Sequence, residues 1–192
     1  MPAEETQELG RAAVASVKRW LEATTYIALE WDVYNYVQYC SVEHLGGHKR
    51  LDLAGSYLTG TRDLVYVESK RYTTAASARS LYGQFQDFLA VAYSHALFQR
   101  TKPHPQIAHW YWVTYHPFEL TRWAQLESPG ELTAAVTAAS YVPDDAVDTT
   151  LIHEVASRIT VLVYNPKMER FTMTPQEVQR VLGHLERKAV GL

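Results

Sequence analysis

The chain has 192 residues, is 47% hydrophobic and 20% charged, and carries a formal net charge of -3, enough length and apolar content to bury the core of one domain spanning residues 1–192. The acidic total excludes a protein that coats nucleic acid through bulk positive charge, so any such contact has to be local. Cys40 is the only cysteine, which excludes an internal disulfide, and no stretch approaches the roughly 20 consecutive apolar residues that span a bilayer, so a cytoplasmic protein with no membrane partner is expected.

Leu9, Ala13, Val17, Trp20 and Leu21 recur at helical spacing and predict an amphipathic first helix from Thr6 to Ala23. The following stretch, Tyr26 to Tyr39, is rich in Tyr, Val, Ile and Trp and reads as one long strand or two short ones, before the Gly46-Gly47 pair breaks the chain. Arg50–Leu58 and Leu64–Tyr72 predict two more strands joined by the polar turn Thr59-Gly60-Thr61-Arg62-Asp63, and therefore a hairpin. Helical periodicity returns from Ser77 to Arg100, with Leu81, Phe85, Phe88, Ala92 and Ala96 on one stripe, and Lys102-Pro103-His104-Pro105 ends it. His109–Phe118 predicts an aromatic strand, Ser128-Pro129-Gly130-Glu131 a capped helix start, Ile159–Tyr164 a short strand, and Thr174-Pro175-Gln176-Glu177 a last helix running to about Lys188. The order of elements implies an α/β fold with a mixed central sheet flanked by helices.

Chemistry concentrates on the hairpin. Side chains alternate along a strand, so in Leu64-Val65-Tyr66-Val67-Glu68-Ser69-Lys70 the two charged residues share the face of Leu64 and Tyr66. A half-buried face that presents Glu and Lys together needs either pairing or a metal ion to offset desolvation. Asp52, in Arg50-Leu51-Asp52-Leu53, lies on the preceding strand, where a hairpin register brings its carboxylate beside Glu68. Two carboxylates at one point favour a hard divalent cation, Mg2+ with Mn2+ as a substitute, and Lys70 is placed to hold an attacking water or to neutralise charge on a phosphate. The plainer alternative is a charge pair on an exposed edge strand, a device that blocks aggregation.

Asp52, followed after fifteen residues by Glu68-Ser69-Lys70 at the end of an apolar strand, resembles the PD-(D/E)xK superfamily of restriction-endonuclease-like nucleases. The resemblance covers about residues 5–118 and implies a three-layer core of helix, three strands, helix and strand. Residues 119–192 would complete the domain or form an interface. It further implies Asp52 and Glu68 as metal ligands, the Ser69 backbone carbonyl as a further ligand, and Lys70 as the catalytic lysine. Relatives often carry a Gln on the following helix. Gln84 lies three residues after Leu81 and four before Phe88, on the buried stripe, where it either faces the site or is satisfied by backbone at the stripe's edge, with Gln86 the neighbouring alternative. Relatives also carry a first-helix glutamate, but here Ala12, Ala13 and Val14 follow Gly10-Arg11 at its usual place, leaving Glu5, nearer the apolar stripe than Glu8, as the substitute ligand.

Basic residues Lys49, Arg50, Arg71 and Arg79 gather around the motif and are expected to contact nucleic acid. The implied activity is metal-dependent hydrolysis of phosphodiester bonds, with DNA expected over RNA, in restriction, repair or phage defence, and with a homodimer or a partner subunit adding grip. The competing reading is a nuclease-fold binding or scaffold subunit without turnover. Among weaker signals, Cys40, His44 and His48 share a metal-like spacing without an evident fourth ligand, and the run His109–Tyr115 offers aromatic faces either to unpaired bases or to the core.

Overall fold

The computed structural model describes residues 3–58, 60–71 and 78–184, with the side chains of residues 3–7, 78–80 and 169 outside that description. Helix α1 (Ala3–Thr24) leads into strand β1 (Ile27–Asp32), the small hairpin β2 (Ser41–His44) and β3 (Gly47–Arg50), and then β4 (Leu53–Tyr57) and β5 (Leu64–Lys70). Helix α2 (Ala78–Arg100) crosses to β6 (Ala108–Thr114), and α3 (Pro129–Ala138) and α4 (Thr149–Ala156) cross to β7 (Ile159–Val163) before α5 (Pro175–His184). The sheet order is β1-β4-β5-β6-β7, antiparallel across β1/β4/β5 and parallel across β5/β6/β7. This is the α/β fold with a mixed sheet that the element order implied. Among the described residues no helix is long and apolar enough to cross a membrane.

Each face of the sheet has its own core. Towards α1, Val14, Val17, Trp20 and Leu21 close over Ile27, Leu29, Leu53, Val65, Val67, Tyr111 and Val113. Towards α2, α3 and α4, Leu81, Phe85, Phe88, Leu132, Val136, Leu151 and Val155 cover Ala54, Tyr66, Trp110, Trp112 and Val161. The α1 stripe is shifted from expectation, because Leu9 is exposed and Val14 takes its place. With helices on both faces, β6 is buried on both sides, so Trp110, Tyr111 and Trp112 are core residues and offer no stacking platform to bases.

Three local features set up the region around the Glu-Ser-Lys motif. First, the aromatic stretch after α1 is one strand and then a turn: a bulge between Ala28 and Trp31 moves Trp31 to the face opposite Ile27 and Leu29, and the chain leaves the sheet after Asp32. Second, the bulge lowers the Ala28 carbonyl onto Gly55, where a Cβ would lie 1.9 Å from that oxygen, so β4 needs glycine there. Third, Gly46-Gly47 closes the β2/β3 hairpin, with His44 opposite Gly47 and Gly47 at a φ of 117°.

Helix starts follow their capping residues in part. The Thr174/Glu177 box is complete, with the Thr174 amide donating to the Glu177 carboxylate at 2.7 Å and the Glu177 amide to the Thr174 hydroxyl at 3.3 Å. At α3 the Ser128 hydroxyl accepts from the Glu131 amide at 3.2 Å, but the Glu131 side chain turns inward to Arg122, Tyr82 and Gln86. The expected reach of β5 to Tyr72 and of the last helix to Lys188 lies outside the described residues.

Candidate functional site

The site forms where β4 and β5 stop pairing. Their ladder ends at Leu53 opposite Val67. One step further Asp52 has left strand geometry, and its carboxylate takes the place of a ladder carbonyl, accepting the Ser69 N–H at 2.7 Å. The Asp52 carbonyl accepts the Val33 N–H at 3.0 Å, which ties the turn after β1 to the same point. Asp52 was expected within a strand; it sits at the break before one, held by backbone hydrogen bonds on two sides.

Glu68 and Lys70 share the α2 face as their alternation requires. The Lys70 ammonium meets the Glu68 carboxylate at 2.5 Å and lies 5.6 Å from the Trp112 ring centre, on the residue opposite Glu68 in β6. Glu68 is 8% exposed, so the edge-strand reading fails: β5 is central, flanked by β4 and β6. Burial first, and the Glu68 charge second, push the Asp52 carboxyl up to about 7, against the Ser69 N–H and Lys70, which pull it down. Two carboxylates thus face one ammonium.

This donor set fits a hard divalent ion. Asp52 and Glu68 supply oxygen only, and Mg2+ is held by one or two carboxylates with water completing its shell. Among the described residues no group of three or more His, Cys, Asp or Glu side chains is placed to hold a metal ion, so carbonyls and water would supply the remaining ligands. A zinc site at Cys40, His44 and His48 is ruled out on geometry. Among the described residues these three form no group placed to hold an ion, the His44 Nδ1 accepts from the Gly46 N–H at 3.1 Å, and His48 points outward from β3.

The other expected members divide. Gln84 is half-buried on α2, one residue before Phe85, whose ring packs against Trp112 at 5.4 Å. Gln86 is committed elsewhere, donating to the Tyr82 hydroxyl at 2.8 Å and to Glu131 at 3.0 Å. Ser69 lies between the charged pair and meets Asp52 through its N–H, and its buried hydroxyl has no hydrogen-bond partner among the described residues. Glu8 is exposed on α1, and the side chains of Glu5 and Arg79 fall outside the described residues. Lys49 is spent on Asp87 at 2.5 Å, whereas Arg50 is exposed on β3 and Arg71 is exposed with its guanidinium 5.5 Å over the Tyr115 ring.

Sequence reasoning missed Tyr34, in the turn after β1. Its phenol is pushed up by burial and next by the Asp52 charge, with Asp32 and Glu68 adding to the rise and Arg11 opposing it. The turn that carries this residue follows Asp32 and is tied to the Asp52 carbonyl through the Val33 N–H. No periodicity marks it. The same turn exposes Tyr36 and Tyr39, the latter stacked on Trp31 at 4.8 Å.

No family model matches the sequence, and no curated protein matches it. Among solved structures, the chain is similar to the Cap4 SAVED/CARF-domain containing receptor of Moraxella osloensis, at 12% identity and a TM-score of 0.35, over 95% of this chain and 38% of that one. It is likewise similar to the Cap4 SAVED/CARF-domain containing receptor of Acinetobacter baumannii, at 14% identity and a TM-score of 0.37, over 90% of this chain and 35% of that one. The same receptor with the cyclic trinucleotide 2'3'3'-cAAA gives 14% identity and a TM-score of 0.38 over 90% and 34%. The chain spans little more than a third of these receptors' length.

Proposed function

We propose that this chain is a metal-dependent nuclease of the PD-(D/E)xK kind, hydrolysing phosphodiester bonds in nucleic acid, with DNA as the substrate. The observation that carries the reading is the convergence of Asp52, Glu68 and Lys70 at the end of the β4/β5 ladder, with Glu68 buried, Asp52 half-buried and the Lys70 ammonium against the Glu68 carboxylate. The order helix, three antiparallel strands, helix, parallel strand supports it, being the order the motif's resemblance implied.

Asp52 and Glu68 would hold Mg2+, which supplies charge stabilisation at the phosphate and lowers the pKa of its bound water. Asp52 is oriented by the Ser69 N–H and the turn at Val33, so its carboxylate is fixed before any ligand arrives. The Trp112 ring and Glu68 hold the Lys70 ammonium at the strand end, where a cation placed beside an attacking water or a phosphate oxygen offsets developing negative charge. Arg50 and Arg71 remain accessible to the phosphate backbone on either side.

Incubation with plasmid, linear and single-stranded DNA and with RNA, in Mg2+, Mn2+ or EDTA, tests this directly. Wild type should cleave DNA only with metal, and Asp52→Ala or Lys70→Ala should each lower the rate at least about a hundredfold. Cleavage that survives EDTA or both substitutions overturns the mechanism. Metal-dependent DNA binding without turnover by wild type would instead establish a nuclease-fold binding subunit.

A further inference from the structure

We propose that Trp31, Tyr36 and Tyr39 form a stacking platform for unpaired bases, so that the strand reaching Asp52 and Glu68 is single-stranded where it lies on the protein. The inference deepens the nuclease reading, on which the cutting of that strand rests, by naming its substrate class. Base stacking itself is read by binding alone.

The platform is tied to the site through the backbone. Trp31 pairs with Ala54, and Ala54 pairs in turn with Tyr66, which precedes Glu68 by one side-chain repeat on the same strand face. Trp31 packs with Ala54 and Tyr66 into the core under α2, so its ring lies on the face that carries Glu68 and Lys70. Two strand spacings across and one repeat along place the Trp31 and Glu68 backbones about 12 Å apart, the length of roughly three or four nucleotides stacked at about 3.4 Å each. Beyond Asp32 the turn is fixed at both ends. The Val33 N–H donates to the Asp52 carbonyl at 3.0 Å, and the Leu51 N–H to the Cys40 carbonyl at 2.9 Å. Within the turn, the Tyr36 N–H donates to the Asp32 carbonyl at 2.8 Å and the Tyr39 N–H to the Tyr36 carbonyl at 3.0 Å. The rings are therefore presented from an ordered backbone, which lowers the entropy cost of binding.

Exposure and chemistry point to bases. Tyr36, Val37, Gln38 and Tyr39 are consecutive exposed residues, with Tyr39 at 51% and Tyr36 at 45%. Single exposed apolar side chains are ordinary, but these rings adjoin one another: Tyr39 stacks on Trp31 at 4.8 Å with 27° between the planes, and Tyr36 lies 6.4 Å from Tyr39. Trp31 covers one side of Tyr39, and a planar group can extend the stack from the side left in solvent. Every base has such a face, and a duplex hides it between neighbouring pairs, so the occupant is a single strand. Arg50 is exposed and pairs with Ser41, two residues after Tyr39, which puts a cation beside the platform for the phosphates of the same strand. The one carboxylate inside the turn, that of Asp32, is taken up by the Asn35 side chain at 3.0 and 2.9 Å and by the Tyr34 and Asn35 N–H groups.

Fluorescence anisotropy in EDTA reads binding without metal-dependent turnover, using a short labelled oligodeoxynucleotide as a single strand, as a blunt duplex and as an abasic strand of equal length. Thermal melting reads the fold. Wild type should bind the single strand at least about tenfold more tightly than the abasic strand. Tyr39→Ala should lose about tenfold on the single strand and nothing on the abasic one, whereas Tyr39→Phe, which keeps the ring face, should match wild type. Tyr36→Ala leaves the Tyr39 contact with Trp31 intact and should lose affinity in the same selective way. Arg50→Ala should weaken all three forms alike and flatten the salt dependence. Failure of wild type to bind the single strand, wild-type affinity in either alanine variant, or a loss as large in Tyr39→Phe or on the abasic strand overturns the platform. Self-association of wild type that Tyr39→Ala abolishes, with oligonucleotide affinity unchanged, would make this face a protein contact and overturns it as well. Cleavage assays in Mg2+ keep the two readings apart. Selective binding of unpaired bases without cutting leaves the platform and ends the nuclease reading, and metal-dependent cutting with no preference for unpaired bases does the reverse.

Discussion

Replacing Asp52 with Asn should make the metal-free protein more stable, and increasingly so as pH rises. The folded state holds the Asp52 carboxyl at about 7, against an ordinary 3.8, because burial and Glu68 disfavour its charge. A carboxyl raised in the folded state binds its proton more tightly there than in the unfolded chain, so its contribution is full below about pH 4, erodes between about 4 and 7, and is gone above. The difference corresponds to at most about 4 kcal/mol, a large part of the ~5–15 kcal/mol that stabilises a typical domain. Asn is neutral at every pH, can still accept the Ser69 N–H, and can turn its amide donors to Glu68. Melting wild type and Asp52→Asn in EDTA from pH 5 to 8.5 should therefore show a gap that widens with pH to roughly 10 °C. Other carboxyls pull the opposite way: hydrogen bonds hold Asp148 and Glu177 below their usual range, so their contribution is lost as pH falls. Both proteins share that effect, and the difference between them isolates Asp52. Mg2+ should stabilise the wild type most at high pH, by about 2.7 kcal/mol at a hundredfold excess over Kd, raising its melting temperature, and leave Asp52→Asn unmoved. A gap that stays constant with pH, or an Asn variant that melts lower at pH 8 in EDTA, would refute the assignment of a charged, strained carboxylate at this point.

Two further substitutions probe the frame that holds the site. Gly55→Ala places a methyl 1.9 Å from the Ala28 carbonyl and should cost more than about 4 kcal/mol or abolish folding, whereas Gly83→Ala on α2, with open space around it, should gain up to about 1 kcal/mol; urea unfolding compares the two, and similar midpoints would contradict the bulge. Glu131→Ala strands the donors of Arg122, Tyr82 and Gln86 around a position 3% exposed and should lower stability by about 2–3 kcal/mol while the Ser128 cap, which uses the Glu131 backbone, persists; a loss below about 0.5 kcal/mol would mean that this cluster is solvated.

The motif strand was legible because two independent signals coincide in it. Leu64 and Tyr66 fix which face of β5 is apolar, and Glu68 and Lys70 fall on that face, so their pairing follows from alternation alone. Asp52 was half legible: the turn at residues 59–63 implied the hairpin, but the strand break before Leu53 depends on the Ser69 N–H donating to a side-chain carboxylate, which has no periodic signature. The aromatic strand β6 stayed ambiguous between core and base-stacking for a related reason. Alternation distinguishes inside from outside only when one face meets water, and β6 has helices over both. Helix α4 escaped notice because it is eight residues long and opens on two threonines; its signal is Asp148, which caps the Thr150 and Leu151 amides at 2.8 and 3.3 Å. Tyr34 lies in a turn set by the Asp32 carboxylate and by the Val33 bond to Asp52, contacts that leave no periodic signature.

The same geometry that makes the site costly makes it specific. Where β4 leaves β5, one backbone amide needs an acceptor, and it donates to a carboxyl pushed towards neutrality by burial first and by Glu68 second. Lys70 offsets one negative charge, so the second remains a debt that a divalent cation can discharge and a monovalent one cannot fully. The Ser69 N–H and the Val33 tie hold Asp52 from the backbone side, so its carboxyl keeps its place beside Glu68, and in the proposed mechanism a bound Mg2+ would relieve the unfavourable energy. A sequence that relieved it, by Asn at position 52 or by a second lysine beside Glu68, would fold more stably and bind the ion less well. If Asp52 and Glu68 hold Mg2+ as proposed, stability and ion affinity are opposed at this one position, and the Asp52→Asn melting series with and without Mg2+ measures both sides of that opposition.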